Sequence, residues 1–139
     1  MASPRKQSTM GKDSFLRITV ITPERRVLDE PTESAVIPAH DGELGILRNR
    51  AALLCELGVG VLRFRSGGQT RRVFIDGGFA QVHENRITLL SDSALGEEEV
   101  TSQVLAQAEE AARDARLTPS QRLRARRRAA ALRGLSQRG

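Results

Sequence analysis

The sequence predicts a small all-β sandwich or barrel followed by an antiparallel pair of α-helices. From Phe15 to Leu90, short stretches of alternating apolar and polar residues are separated by glycine, proline and polar turns, a pattern typical of all-β domains. Beyond Gly96 the apolar residues instead recur every three or four positions, which indicates helix. A chain of 139 residues fits one domain with an appendage. We therefore expect a disordered polar tail at 1–13, a β-sandwich domain at 14–95 and a helical hairpin at 96–139.

The first strand is predicted where Leu16, Ile18 and Val20 alternate with polar residues. The proline-containing turn that follows ends it. A second short strand is expected from Glu33 to Ile37, closed by Pro38, because proline has no backbone N–H to donate to a neighbouring strand. Alternation gives the first strand one apolar face.

Two hairpins are predicted in the second half of the β domain. Gly67 and Gly68 stand between apolar segments and supply the backbone freedom that tight hairpin turns need. The next hairpin turns at 83–85, and apolar residues alternate on both sides of it. The residues expected to face each other there are Phe79 and Val82 on one strand and Ile87 and Leu89 on the other.

Two helices are predicted after the β domain. The first runs from about Glu97 to Arg116, with acidic residues near its start, where the helix dipole favours negative charge. Its apolar positions are Val100, Val104, Ala108, Ala111 and Ala115. The second helix begins with Thr118 as N-cap, Pro119 at the first helical position and Gln121 completing a capping box. The short connection predicts an antiparallel hairpin, whose mostly alanine contacts bury little apolar area and pack weakly.

The sequence offers no catalytic, metal or cofactor site. Cys55 is the sole cysteine, which excludes an internal disulfide and a thiolate metal cluster and favours a small core residue. His40 and His83 lie in separate turn-like segments with no ligand motif around them. No nucleophile elbow, dinucleotide fingerprint or phosphate-binding loop occurs. We therefore expect no cofactor and no enzyme activity from this chain alone; a small enzyme on a β-sandwich would need a site that the sequence does not reveal.

Neither a membrane span nor an export signal is expected. The longest apolar runs are as short as Ala51 to Cys55, against the roughly 20 residues that cross a bilayer. The first residues are polar and lack the apolar core of a signal peptide. These features favour a cytoplasmic protein with a mobile N-terminal tail.

Charge is segregated along the chain. Residues 92–112 carry six acidic and no basic side chains, whereas residues 113–139 carry nine basic and one acidic. The basic run contains Arg122, Arg124, Arg126, Arg127 and Arg128. These guanidinium groups suit pairing with carboxylates or phosphates, but they also fit a solvated helix surface, since 20 of the 22 basic residues are arginine.

One alternative function follows from that run: a stand-alone basic module that contacts nucleic acid through its arginine-rich helix. The chain has no Trp or Tyr, and its four Phe all precede the helices. Specific recognition of single strands generally adds aromatic stacking. Nonspecific phosphate contact therefore stays open, and specific nucleic-acid recognition is not expected.

Four motifs together resemble one known family. In chain order they are Asp41–Leu47, Ala51–Leu54, Ile75–Val82 and Ile87–Ala94. Their order and spacing, followed by an alanine-rich hairpin, resemble the epsilon subunits of bacterial F-type ATP synthases from Phe15 to about Leu135. The resemblance implies a ten-stranded β-sandwich with two C-terminal helices.

The resemblance also implies a non-catalytic subunit of the central stalk. Such a subunit couples proton translocation through the c-ring to ATP synthesis and restrains ATP hydrolysis through its C-terminal helices. Its partners are the gamma subunit, the c-ring and the catalytic beta subunit. It lies on the cytoplasmic face of the cell membrane, peripheral through the complex, without direct lipid insertion.

Two sets of site residues follow from the resemblance. The family's loop at the c-ring end maps onto Gly42–Ile46, which makes Glu43 the expected contact to polar c-subunit loops. Arg50 stands where family members commonly have histidine, so a charge-assisted contact to an acidic loop would take the place of one through imidazole. The family's hairpin has a folded form and an extended form that blocks hydrolysis, and we expect the five arginines at 122, 124, 126, 127 and 128 to carry that inhibition collectively against an acidic segment of the beta subunit.

Some family members bind ATP on this hairpin through an acid and an arginine on the first helix. The corresponding stretch here, Val100–Leu105, lacks both residue types. Nucleotide sensing by that route is therefore not expected, although weak, unspecific nucleotide affinity of the second helix stays open.

Overall fold

A computed structural model describes residues 16–136. The polar tail predicted at 1–13 lies outside these residues. Ten strands form two five-stranded sheets: a first sheet in the order β2-β1-β9-β8-β5 and a second sheet in the order β10-β7-β6-β3-β4. The strands are β1 (Leu16–Ile21), β2 (Arg26–Thr32), β3 (Ser34–Ala39), β4 (Gly42–Ile46), β5 (Leu53–Glu56), β6 (Val59–Ser66), β7 (Gln69–Asp76), β8 (Phe79–His83), β9 (Arg86–Leu90) and β10 (Ala94–Gly96). The predicted β-sandwich is confirmed.

The two sheets enclose a core made by alternate residues of each strand. Leu16, Ile18 and Val20 are fully buried, as the alternation predicts. Strands β1 and β9 run parallel, whereas the other paired strands among residues 16–136 are antiparallel. The first strand thus pairs with the ninth, which is distant along the chain.

The sequence pattern predicted the wrong face for one residue of the β8–β9 hairpin, Phe79. Val82 and Ile87 are buried opposite each other as predicted. Phe79, however, lies opposite Leu90 on the outer face of the first sheet, and the two are 55% and 54% exposed. Ala80 takes the inward position opposite Leu89. Phe79 and Val82 are three residues apart, so a strand cannot turn both toward the same face.

Four strands, β2, β4, β5 and β10, were not predicted individually from the alternation of residues. The predicted second strand also ends later than expected: β3 continues through Pro38 to Ala39 instead of ending before the proline. The carbonyl of Pro38 accepts from the N–H of Gly58 at 2.8 Å, on the side where the β3–β6 ladder has already ended at Val36. No ladder donor is required there, so proline is tolerated within the strand.

Both predicted tight hairpins are confirmed, and each uses positive φ at two successive residues. Gly67 and Gly68 have φ of 60° and 80° between β6 and β7, and Glu84 and Asn85 have φ of 50° and 62° between β8 and β9. Two positive φ values are the mark of the type I′ turn, whose twist matches that of paired strands.

A different glycine pair carries the chain from the second sheet to the first. Gly77 and Gly78, between β7 and β8, have φ of 71° and 104°. A Cβ added at Gly78 would lie 2.0 Å from the carbonyl oxygen of Leu90. This close approach explains why the motif at 75–82 has glycine at this position.

The helical region is shorter at its start than the predicted 97–116 helix. Glu97–Glu99 form a 3₁₀ turn, and the helices are α1 (Ser102–Ala112) and α2 (Pro119–Ser136). Thr101 caps α1, accepting through Oγ1 from the N–H of Val104 at 3.2 Å. At the other end, α1 stops at Ala112, so Ala115 is not helical, and both Ala111 and Ala115 are exposed.

The acidic 3₁₀ turn is held by the sandwich instead of starting a helix. Arg72 donates to Glu97 at 2.7 Å, and Arg25 donates to Glu99 at 2.8 Å. The same Glu99 carboxylate accepts from the N–H of Gly96 at 2.8 Å. These bonds compete with the helical conformation that the dipole argument predicted.

The start of α2 matches the prediction. The N–H of Gln121 donates to Thr118 Oγ1 at 3.2 Å, and the N–H of Thr118 donates to Gln121 Oε1 at 2.9 Å. This reciprocal pair is the predicted capping box. The two helices are antiparallel, since Arg122 contacts Asp114 beside the connection and Arg133 contacts Glu109 farther from it.

The hairpin lies against the outer face of the second sheet, through a second apolar cluster. Ala108 and Ala129 are buried in it, in line with the predicted alanine contacts. Phe74, Leu132 and Leu135 are also buried there, at 0–2% exposure, and these large side chains extend the contact to the sandwich. Within residues 16–136, neither helix has the length and apolarity needed to cross a bilayer.

Candidate partner interfaces

Glu43 lies on an edge strand instead of the predicted loop. It belongs to β4, where it stands opposite Pro38. Arg63 of β6 donates to both of its oxygens, at 2.8 and 3.2 Å. This donation holds the pKa of the Glu43 carboxyl below its ordinary value. The side chain is still 55% exposed, so the pair presents a charged, polar surface.

Arg50 lies in the segment that passes from β4 of the second sheet to β5 of the first. Its side chain is exposed and makes no hydrogen bond or ion pair with residues 16–136. The neighbouring Asn49 has a φ of 63°, and its N–H donates to Asn85 Oδ1 at 2.6 Å. This bond fixes the segment to the β8–β9 turn. Glu43 and Arg50 therefore flank one ordered stretch without contacting each other.

The five predicted arginines of α2 are divided among three faces of the helix. Arg124 and Arg128, one turn apart, face the sandwich. Arg122 and Arg126 line the cleft between α1 and α2. Arg127 lines a groove at the edge of the sandwich. The structure does not gather them into one patch.

The sandwich-facing pair converges on a single carboxylate. Arg124 Nη2 lies 2.8 Å from Asp76 Oδ1, and Arg128 Nη1 lies 2.5 Å from Asp76 Oδ2. The Asp76 side chain is only 13% exposed. The guanidinium carbon of Arg128 also lies 4.9 Å from the ring centre of Phe74, a distance typical of a cation–π contact. In this form of the protein these two arginines are occupied internally.

The cleft between the helices is an open, basic space of about 750 Å³. Arg122 donates to the carbonyl oxygens of Leu117 at 3.0 Å and Asp114 at 3.4 Å, and so helps close the connection. Arg126 makes no ion pair or hydrogen bond in the described part of the chain. Its charge is available to an outside partner.

The third face of α2 borders a groove of about 450 Å³ beside the β7–β8 crossing. Leu123, Phe79 and Leu90 line it and are each at least half exposed. Arg127 stands at the same groove without a described partner among residues 16–136. The groove therefore has both apolar side chains and charged side chains, Arg124 and Arg127 among them, in its lining.

Sequence reasoning missed the residues of the sandwich that receive the hairpin. Arg72, Phe74 and Asp76 alternate along β7, so they share its outer face. Arg72 donates to the carbonyl oxygens of Gly134 and Leu135, each at 3.4 Å. A fully apolar Phe74 at an outward position between two charged residues was the available signal that something covers this face.

No group of three or more His, Cys, Asp or Glu that would hold a metal ion occurs within residues 16–136. Burial raises the pKa of the Cys55 thiol, which packs against the main core.

Comparison with known proteins identifies the class of this fold. Residues 15–97 match the family model described as ATP synthase, Delta/Epsilon chain, beta-sandwich domain. The chain belongs to the ATP synthase delta/epsilon chain family.

Two curated relatives illustrate the similarity. The chain is 49% identical over 80 residues to an ATP synthase epsilon chain of Symbiobacterium thermophilum, covering 57% of this chain and 58% of the relative. It is 38% identical over 88 residues to an ATP synthase epsilon chain of Pelotomaculum thermopropionicum, covering 63% and 66%. The matched part thus spans less than two thirds of these relatives.

Solved structures extend the similarity through the helices. The chain matches 79% of a chain in the cryo-EM structure of Euglena gracilis mitochondrial ATP synthase (OSCP, F1 and c-ring), with a TM-score of 0.68, 25% identity and 87% of this chain covered. A second match, in the central stalk and c-ring structure of Tetrahymena thermophila mitochondrial ATP synthase, has a TM-score of 0.61 at 19% identity, with 88% and 94% covered. At 19% identity, this second match shows that the two chains share a fold.

Proposed function

We propose that this chain is a non-catalytic central-stalk subunit of an F-type ATP synthase. The observation that carries the proposal is the family match over the sandwich, joined to a helical hairpin that is folded on that sandwich. In this role it couples proton flow through the c-ring to ATP synthesis. It binds the gamma subunit and contacts the c-ring and the catalytic beta subunit, and it is held at the cytoplasmic face of the membrane by these proteins.

The hairpin is the regulatory part in this proposal. Its folded form uses Arg124 and Arg128 internally and leaves Arg126 and Arg127 without described partners. An extended form would release the first pair as well, and so present more positive charge to an acidic segment of the beta subunit. Extension would then restrain ATP hydrolysis.

At the other proposed contact, Glu43 and Arg50 meet polar loops of the c-ring. Support comes from the exposure of both side chains on one ordered stretch. The Glu43 carboxylate suits a polar loop, and the Arg50 guanidinium suits an acidic one. Arg63 orients the Glu43 carboxylate, and its hydrogen bonds hold the pKa of this carboxyl below its ordinary value.

The nucleic-acid alternative receives no support from the family match.

ATP hydrolysis by assembled membranes tests the proposal. The variant to compare with the full chain ends after Val100, because this end keeps the Arg72–Glu97 and Arg25–Glu99 ion pairs while it removes both α-helices. Higher hydrolysis with the truncated chain is expected, with gamma recovered equally in both pull-downs. Failure of either chain to recover gamma would contradict the central-stalk assignment; equal hydrolysis with gamma recovered would contradict the braking role.

A further inference from the structure

Polar contacts join the outer face of β7 to α2 at two separated points. Arg124 and Arg128 bind Asp76, whereas the carbonyls of Gly134 and Leu135 accept from Arg72. The helix therefore runs antiparallel to the strand. From the midpoint of the two arginines to the two carbonyls the helix rises about 13 Å. The strand also spans about 13 Å over the four residue steps from Asp76 to Arg72.

The charges along this line are complementary in sign. The carboxylate of Asp76 meets two guanidinium groups, and the guanidinium of Arg72 meets the C-terminal end of α2, where the helix dipole is negative. Phe74 lies between them under the apolar side of the helix. Apolar contact alone would allow α2 to slide or rotate, whereas the paired charges fix one position.

We infer that Asp76 is the residue of the sandwich that restrains the hairpin in its folded form, by competing with the acidic partner of the catalytic head for Arg124 and Arg128. This inference rests on the proposed function. It deepens that proposal by naming the group that must be displaced before the hairpin extends.

The burial of Asp76 explains why its ion pairs restrain the hairpin strongly. Its side chain is 13% exposed and that of Arg128 is 34% exposed, so water screens this pair less than an ordinary surface ion pair. A carboxylate that bridges two arginines loses both partners together when α2 leaves. Removal of the carboxylate alone leaves two guanidinium groups facing each other over the sheet, which disfavours docking.

The competition predicts opposite effects for the two sides of the contact. An Asp76→Asn substitution weakens only the folded form, because every arginine of α2 is retained for the outside partner. Alanine in place of Arg124 and Arg128 weakens the folded form and the extended form together. Only the first change should strengthen the brake.

Hydrogen exchange of the full chain tests the restraint directly. We expect the α2 amides to exchange about three- to tenfold faster in Asp76→Asn than in the unchanged chain. The matched control is Asp29→Asn: Asp29 accepts from Arg17 at 2.8 Å and Arg26 at 3.3 Å, on the first sheet and away from the hairpin. That control should leave α2 exchange unchanged.

If the Asp76 variant does not fold, Arg124→Gln makes the test, since it removes a bond to Asp76 and leaves the sandwich and the Arg128–Phe74 contact in place. Equal protection of α2 with and without the Asp76 contact, in whichever variant folds, would overturn the inference.

ATP hydrolysis by the assembled complex tests the competition. Membranes with Asp76→Asn should hydrolyse ATP about two- to fivefold more slowly than those with the unchanged chain, as the population shifts toward the extended form. Suppose that truncation after Val100 raises hydrolysis. The inference is then overturned if membranes with Asp76→Asn hydrolyse ATP as fast as, or faster than, membranes with the unchanged chain. If truncation raises nothing, the braking role itself fails, and the exchange measurement alone then decides whether Asp76 holds the hairpin.

Discussion

The guanidinium carbon of Arg128 lies 4.9 Å from the centre of the Phe74 ring. Phe74 is at the same time fully buried in the cluster that joins the hairpin to the second sheet. One ring therefore supplies both apolar contact and a face for a cation, and the two contributions can be separated by substitution.

Phe74→Leu removes the ring but keeps an apolar side chain, whereas Phe74→Ala removes nearly all the contact. We expect Phe74→Ala to lower the free energy of unfolding by about 3 kcal/mol and Phe74→Leu by about 1 kcal/mol. Urea unfolding followed by circular dichroism suits this chain, which contains no Trp or Tyr. An unchanged free energy of unfolding in Phe74→Leu would show that the ring face contributes nothing of its own.

Gly78→Ala should be the most damaging glycine substitution in the β7–β8 crossing. The added Cβ would stand 2.0 Å from the carbonyl oxygen of Leu90, at a φ of 104°. Either the crossing or strand β9 must move, and we expect a loss of more than about 3 kcal/mol. Gly134→Ala is the control: apart from its chain neighbours and its own helix backbone, no atom lies within 4 Å of the added Cβ. Alanine in place of glycine in a helix should stabilise by about 0.5–1 kcal/mol. The contrast is measured by thermal unfolding.

Acid should loosen the 3₁₀ turn that precedes α1. The Arg25 guanidinium donates to Glu99 and holds the pKa of this carboxyl below its ordinary value of 4.5. Because the folded pKa is the lower one, the stabilisation is complete above about pH 4.5 and is lost as the pH falls through the folded value.

The measurement is the free energy of unfolding between pH 7 and pH 3. Glu99→Gln should flatten its dependence on pH in the acid range. Glu110→Gln, at an exposed position without an ion pair among residues 16–136, should leave the curve unchanged. An unaltered slope in the Glu99 variant would contradict the assigned role of the Arg25 pair.

Glu43→Gln should affect binding more than stability. Both partners of the Glu43–Arg63 pair are well exposed, so its loss should change the free energy of unfolding by less than about 1 kcal/mol. Retention of the complex on membranes that contain the c-ring should fall. Glu33→Gln is the matched control, since Glu33 pairs with Arg65 at 3.7 Å at a similarly exposed position. Equal retention in the two variants would count against a c-ring contact at Glu43.

Local chemistry predicted much of this fold. The capping box of Thr118 and Gln121 and the turn at Gly67 and Gly68 depend on neighbours along the chain, and both are confirmed. The 3₁₀ turn was missed because Glu97 bonds to Arg72 of β7 and Glu99 bonds to Arg25 of the β1–β2 turn. Both arginines are distant along the chain, and these bonds outweigh the local preference for helix.

The candidate surfaces were only partly predictable. An arginine-rich helix is visible in the sequence, but the partner of Arg124 is 48 residues away on β7. Its identity depends on how α2 lies on the sheet, which no local pattern specifies. Glu43 illustrates the same limit, since its bond to Arg63 spans an intervening strand.

The ion pairs of the 3₁₀ turn hold this turn on the sandwich. With Glu97 and Glu99 anchored on the sandwich, an outward swing of the hairpin must turn about Val100 and Thr101. Helices α1 and α2 then form two lever arms of about 17 and 27 Å. Deleting one residue within α1 would shorten the first arm by about 1.5 Å and rotate everything beyond it by about 100°. The arginines of α2 would then lie at nearly the same distance from the sandwich but point in a different direction.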